Sequence, residues 1–256
     1  MNQEKALSIL KSGTNVFLTG SAGAGKTYVL NQYIKYLKAR KIPVSITAST
    51  GIAATHLQGT TIHAWSGIGI KDALSQRNLR ALKEKKYLKK NIEKTKVLII
   101  DEISMLHKKQ FEMVNEVLQF FRDTQDPFGG VQLVLCGDFF QLPPIGNSAE
   151  TNKEKFCFMS QAWLDAQLSI CYLTDQFRQT DTQLNDILNE IRSGLVSKRS
   201  IELLQSRKEA IGTEEPTRLY THNLDVDRIN SQQMAEIKGR KKTFKARVKG
   251  NLKLAE

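Results

Sequence analysis

Short runs of Val, Ile and Leu alternate along this chain with longer stretches in which apolar residues recur every three or four positions. The runs are NVFLT (15–19), PVSIT (43–47), KVLIID (96–101), VQLVLC (131–136) and LSICYL (168–173). Unbroken apolar runs of this length, rich in β-branched residues, predict strands buried on both faces. Between the first two, Val29, Leu30, Tyr33, Ile34 and Leu37 fall on one side of a 3.6-residue helix. Between the third and fourth, Phe111, Val114, Val117, Leu118 and Phe121 do the same. Strand and helix alternating in this way predict an α/β fold, a parallel sheet flanked by crossover helices.

The texture changes after Leu173. Residues 181–194 read as a helix with Leu184, Ile187, Leu188 and Ile191 inward and Gly194 as its stop. SIELLQSR (200–207) predicts a further helix, TRLYT (217–221) a strand, and residues 223–239 a helix capped by Asn223 and closed near Gly239. The expected division is one domain over residues 1–175 and the beginning of another over 176–256. Residues 71–96 read as a loosely packed basic insertion in the first.

Charge sharpens this picture. The 256 residues carry 38 Lys and Arg against 26 Asp and Glu, a net of +12. Residues 71–96 hold ten basic residues against three acids, and residues 238–254 hold eight basic residues and no acid. Two concentrated basic segments on an otherwise near-neutral chain fit a polyanion-binding surface, or alternatively two solvated faces that confer solubility. The three cysteines, Cys136, Cys157 and Cys171, are scattered without C-x-x-C spacing, which predicts no disulfide and a reducing compartment. No apolar run approaches bilayer length, and MNQEKALSIL lacks the features of a secretory signal. The expected location is intracellular, cytoplasmic in a bacterium and nuclear or mitochondrial in a eukaryote, with no membrane partner.

Candidate chemistry begins at GSAGAGKT (20–27), the G-x-x-x-x-G-K-T pattern of a phosphate-binding loop, set between a predicted strand and a predicted helix. Glycines at 20, 23 and 25 allow backbone N–H groups to turn around a β-phosphate at the positive end of a helix. Lys26 is placed to reach β- and γ-oxygens, and Thr27 to offer its hydroxyl to Mg²⁺. Gly20, Ser21, Ala22, Gly23, Ala24, Gly25, Lys26, Thr27 and Tyr28 are the expected nucleotide contacts. The pair Asp101-Glu102 ends a buried strand, where α/β sheets place ligands. There Asp101 suits Mg²⁺ and Glu102 suits polarisation of an attacking water, although such a pair alone also serves as a helix cap. GDFFQLPP (137–144) brings Asp138 and Gln141 to the same edge, with Gln141 a candidate γ-phosphate contact. By itself the stretch also reads as an ordinary strand-to-turn connection with a buried Phe139 or Phe140. Arg178 in LTDQFRQTD is the candidate to neutralise charge on a transferred phosphoryl group, or else a member of a surface or inter-domain salt bridge.

Taken in order, GSAGAGKT, ITASTGIAAT, GTTIHAWSGIG, LIIDEISML, CGDFFQLPP and LTDQFRQ resemble the petite-integration-frequency (PIF-type) DNA helicases of superfamily one, relatives of the RecD-type enzymes. The resemblance runs from Met1 to about residue 230. It implies a RecA-like P-loop NTPase domain followed by part of a second. The implied activity is an ATP- and Mg²⁺-dependent motor that moves five-prime to three-prime on single-stranded DNA and opens duplexes or folded junctions, acting as a monomer. Lys26, Thr27, Asp101, Glu102, Gln141 and Arg178 fall on the family's ATPase positions, and Gln3 on its adenine-reading glutamine in slightly altered spacing. Thr50, Gly51, Thr61, His63 and Trp65 fall on segments that line the DNA path, where Trp65 is equally readable as core and His63 as a hydrogen-bonded buried histidine. Two later family motifs are not matched between residues 217 and 256. Weak nucleotide binding, little DNA-stimulated hydrolysis and no processive unwinding are therefore expected of this chain alone. The alternatives are another P-loop ATPase or small-molecule kinase, and a non-catalytic, ATP-responsive DNA-binding or docking module.

Overall fold

The computed structural model describes residues 1–147, 149–175, 177, 181–209, 219–220, 223–239 and 242–244. Its strands are β1 (Val16–Gly20), β2 (Val44–Ala48), β3 (Thr60–Thr61), β4 (Val97–Asp101), β5 (Gln132–Cys136) and β6 (Ser169–Leu173). They form one sheet in the order β3-β2-β4-β5-β1-β6, every pair parallel. The helices in chain order are α1 (Gln3–Lys11), α2 (Lys26–Ala39), α3 (Gly51–His56), α4 (Ile62–Ser66), α5 (Gln76–Lys83), α6 (Lys86–Lys94), α7 (Lys108–Arg122), α8 (Asn152–Lys155), α9 (Gln161–Asp165), α10 (Thr182–Ser193), α11 (Lys198–Glu209) and α12 (Asn223–Glu236). The chain forms two compact units, Met1–Val196 and Ser197–Glu256, and the whole sheet lies in the first.

Side chains alternate across each strand, and both faces of the sheet are apolar. Val16, Leu18, Val97, Ile99 and Val134 pack with α1 and α2, where Leu10, Val29, Leu30, Tyr33 and Leu37 are buried. Phe17, Leu98, Ile100, Leu133 and Leu135 pack on the other side with α4 to α7 and α9. The five runs recognised as strands and the two helical stripes therefore lie where their periodicity puts them. β3 has no counterpart among those runs, because two residues pairing Thr47 with Thr60 and Ala48 with Thr61 leave no alternation to read.

Three expectations are corrected or left aside. Residues 71–96 are not loosely packed: Ser75 and Asn78 close a capping box on α5, and Leu79, Leu82, Leu88 and Ile92 are buried. Each such side chain contributes about 2 kcal/mol of apolar burial. In α10 the stripe is only partly inward. Ile187 is buried, whereas Leu184, Leu188 and Ile191 are 37%, 48% and 52% exposed. Gly194 does end that helix, in the left-handed conformation with φ of 76°. The expected strand at 217–221 lies mostly outside the described residues, and Leu219 and Tyr220 are in neither helix nor strand.

Candidate functional site

The strand order places the loops after β1, β5 and β4 side by side at the carboxyl edge of the sheet. Gly20 ends β1 with φ of 148°, and a Cβ there would stand 2.6 Å from the Leu173 carbonyl oxygen of neighbouring β6. Only glycine fits so close an approach. The loop then turns into α2, whose N-cap is Gly25 at φ 84°. Lys26 Nζ donates to the carbonyl oxygens of Gly20 at 2.8 Å and Ser21 at 3.1 Å, so its ammonium arches over the loop it follows.

Asp101 is buried and ends β4. Its Oδ1 accepts the Glu102 N–H at 3.0 Å. Burial pushes its carboxyl up, against the Cys136 thiol, the Glu102 N–H and the Lys26 charge, which favour the ionised form. Glu102 occupies the left-handed region at φ 51°, a conformation that costs a non-glycine residue about 1 kcal/mol. Ser49 Oγ donates to its carbonyl at 2.7 Å and helps hold it there. Burial, followed by the neighbouring Asp101, raises the Glu102 carboxyl above its ordinary range.

Lys26, Thr27, Glu102 and Gln141 line a single cavity of about 360 Å³ together with Ala22, Gly23, Gly25 and Phe177. Asp101 lies beside it in sequence and below the surface. Gln3 opens α1, and its Nε2 lies 3.5 Å from the Ala24 carbonyl, against the same loop. Ala24 is buried, Ser21 is half-buried, and Tyr28, 56% exposed, does not line the cavity. Arg178 lies outside the described residues. Phe177 was not singled out from sequence, yet its N–H donates to the Gly23 carbonyl at 3.0 Å and its ring reaches the cavity. Its adjacency to Arg178 in LTDQFRQ was the signal available.

The second group of candidates sits at the ends of β2 and β3. Thr50 caps α3 and Thr61 caps α4. Their hydroxyl oxygens accept the N–H groups of Ala53 and Ala64, both at 3.3 Å, which leaves each hydroxyl its own proton to donate. Gly51 is exposed and His63 half-buried. Trp65 is 7% exposed and packs in the core, with its indole N–H donating to Ser45 Oγ at 3.0 Å. A ring so covered favours the core reading of Trp65 over that of a stacking platform for a base.

The sequence profile of the PIF1-like helicases matches residues 2–199. This chain belongs to the PIF1-like helicase family. It is 55% identical to the ATP-dependent DNA helicase Pif1 of Psychrobacter sp. over 264 aligned positions, covering all of this chain and 40% of that protein. It is 40% identical to the ATP-dependent DNA helicase RRM3 of Saccharomyces cerevisiae over 252 positions, covering 96% of this chain and 35% of the other. The PIF1-like chain thus spans about 40% or less of the length of these relatives.

Solved structures agree on the fold. The Pif1 helicase of Candida albicans superposes with a TM-score of 0.84 at 36% identity, covering 93% of this chain and 54% of that one. A Bacteroides Pif1 helicase in complex with ADP-AlF3 and single-stranded DNA gives 0.80 at 31%, covering 93% and 57%. The parallel sheet with helices on both faces is the RecA-like ATPase architecture of these PIF1-like proteins. Among the described residues no helix is long and apolar enough to cross a membrane.

Proposed function

We propose that this chain supplies the ATP-hydrolysing domain of a DNA helicase that moves five-prime to three-prime on single-stranded DNA. One observation carries the reading: Lys26, Thr27, Glu102 and Gln141, from three separate segments of the chain, meet in one cavity at the carboxyl edge of a parallel sheet. In this reading residues 1–175 are the RecA-like domain and residues 176–256 open a second one. The protein acts inside the cell, as a monomer, on single strands and on duplex or folded junctions.

The donors fit a magnesium nucleotide. Asp101 is a desolvated carboxylate with a raised pKa, and an exposed hydroxyl stands at Thr27, the first turn of α2. One carboxylate and one hydroxyl, completed by phosphate oxygens and waters, is an ordinary Mg²⁺ set. When bound, Mg²⁺ neutralises charge on the phosphates. Lys26 leaves its loop carbonyls for the phosphate oxygens, the 20–25 loop holds the β-phosphate with backbone N–H groups, and Gln141 contacts the γ-phosphate. Glu102, held in its left-handed turn with its carboxylate facing the cavity, accepts a proton from the attacking water. Gln3 reads the adenine, and Arg178 is assigned to charge neutralisation on the transferred group.

Thr50, Gly51 and Thr61 form the proposed phosphate-contacting edge of the DNA path, with His63 beside them. Two hydroxyl donors and an exposed glycine backbone suit sequence-independent contacts. The test is ATP hydrolysis with and without single-stranded DNA, on this chain and on one extended to its relatives' length. The extended chain should show stimulation by DNA that Lys26→Ala and Glu102→Gln abolish. A rate indifferent to DNA points instead to another P-loop ATPase or kinase. Salt-sensitive DNA binding without turnover points to a docking module.

A further inference from the structure

Asp138 and Arg192 stand 54 residues apart in the chain and form a two-pronged ion pair. Nη1 of Arg192 lies 2.7 Å from Oδ2, and Nη2 lies 2.9 Å from Oδ1. The side chains are 2% and 18% exposed, so the pair is nearly dry on the carboxylate side. The guanidinium also lies over the Phe140 ring, 4.3 Å from its centroid, and the Tyr172 hydroxyl is a further neighbour.

The same carboxylate organises the turn that carries Gln141. Its Oδ1 accepts the Phe140 N–H at 3.1 Å, and the Gln141 N–H donates to the Asp138 carbonyl at 2.9 Å. The Gln141 side-chain amide, by contrast, reaches Oδ2 only at 3.4 Å. Burial pushes the Asp138 carboxyl up, but the Arg192 guanidinium and the Phe140 N–H outweigh it and hold the group below the usual carboxylate range. Asp138 is therefore an ionised, buried acceptor whose oxygens take two bonds from Arg192 and one from the Phe140 N–H, with a fourth, longer one from the Gln141 amide.

A buried carboxylate stripped of its partner takes the nearest remaining donor. For Asp138 that donor is the amide of Gln141, already 3.4 Å away and carried by a residue that lines the cavity. We propose that Arg192 is a positioning residue for Gln141: by satisfying Asp138 it leaves the Gln141 amide available to a terminal phosphate, and so sets how well the cavity distinguishes a nucleoside triphosphate from a diphosphate. The bidentate geometry suits this task, because the planar fork fixes the carboxylate plane and with it the turn 138–141. The inference rests on the nucleotide reading of the cavity.

The test compares binding of ADP and of an unreactive ATP mimic by wild-type protein, Lys26→Ala, Gln141→Ala, Arg192→Ala and Arg192→Lys. Arg192→Ala should keep ADP affinity and lose about tenfold of its preference for the triphosphate, the loss expected when one hydrogen bond to a charged group goes. Gln141→Ala should lose the same amount, and the double substitution no more. Arg192→Lys, which keeps charge but not the fork, should fall between and guards against an unfolded alanine variant. Combining Asp138→Asn with Arg192→Gln removes the charge that captures Gln141 and should restore part of the preference. An unchanged preference in a folded Arg192 variant overturns the proposal. Nucleotide binding that ignores Lys26→Ala overturns the reading of the cavity itself.

Discussion

The Gln3 carboxamide lies directly against the α-carbon of Gly25, so that a Cβ at position 25 would collide with Gln3 Nε2 and stand 3.5 Å from the Phe177 ring. The first helix of the chain, the phosphate-binding loop and the segment after β6 thus share one small volume. If Gln3 reads the base, as proposed above, Gln3→Ala should narrow the preference for ATP over GTP by about 1.5 kcal/mol. Competition binding between the two nucleotides measures it. An unchanged preference would remove Gln3 from the site.

Trp65 offers a second test, because its two readings differ in what its removal should do. As a core residue bonded to Ser45, Trp65→Ala should destabilise the fold by about 3–5 kcal/mol. Trp65→Phe should fold and bind single-stranded DNA as wild type does. A loss of DNA affinity in the phenylalanine variant, with unchanged melting temperature, would restore the platform role.

Glu150 ties the loop that follows Gln141 to the start of α7. Its Oε1 lies 2.6 Å from Lys109 Nζ, and its Oε2 lies 3.2 Å from His107 Nε2. These bonds, that from Lys109 first, lower its pKa from 4.5 to about 2. A carboxylate with a depressed folded pKa adds stability above its unfolded pKa and loses it as pH falls through the folded value. Wild type should therefore exceed Glu150→Gln in denaturant stability at pH 7, and the gap should close between pH 4.5 and about 2. A gap that does not change across that window would mean the carboxylate charge is not what holds the loop.

The outer face of α5 and α6 predicts a salt effect. Leu79, Leu82, Leu88 and Ile92 turn inward, leaving Arg77, Arg80, Lys85, Lys86 and Lys90 exposed, with Tyr87 62% exposed among them. Replacing Lys85, Lys86 and Lys90 by Glu should weaken single-stranded DNA binding and reduce the slope of log affinity against log salt by about 2. Titration at several salt concentrations reads both. An unaltered slope would mark this face as merely solvated.

Much of the sheet was legible because both of its faces are apolar, so β1, β4 and β5 appear as continuous runs such as VLIID. The cavity was legible where its parts sit at strand ends, as Lys26, Glu102 and Gln141 do. What escaped depends on contacts made across the fold. The stripe of α10 looked wholly inward because periodicity marks an apolar face without saying what covers it, and only Ile187 is covered. Arg192 sits on that same helix, and nothing local announces that it meets Asp138 54 residues away. Trp65 was ambiguous for the same reason, since a single aromatic in a short helix does not reveal which side it faces.

In the proposed function a nucleotide's phosphates lie along residues 20–27, with the terminal phosphate between Lys26, Glu102 and Gln141. A crystal structure with an unreactive ATP mimic and Mg²⁺ tests it most directly. The phosphate chain should lie over that loop, the metal near Thr27 and Asp101, and the Gln141 amide should be turned from Asp138 to the terminal phosphate. A mimic bound elsewhere, with the cavity filled only by water, would contradict it.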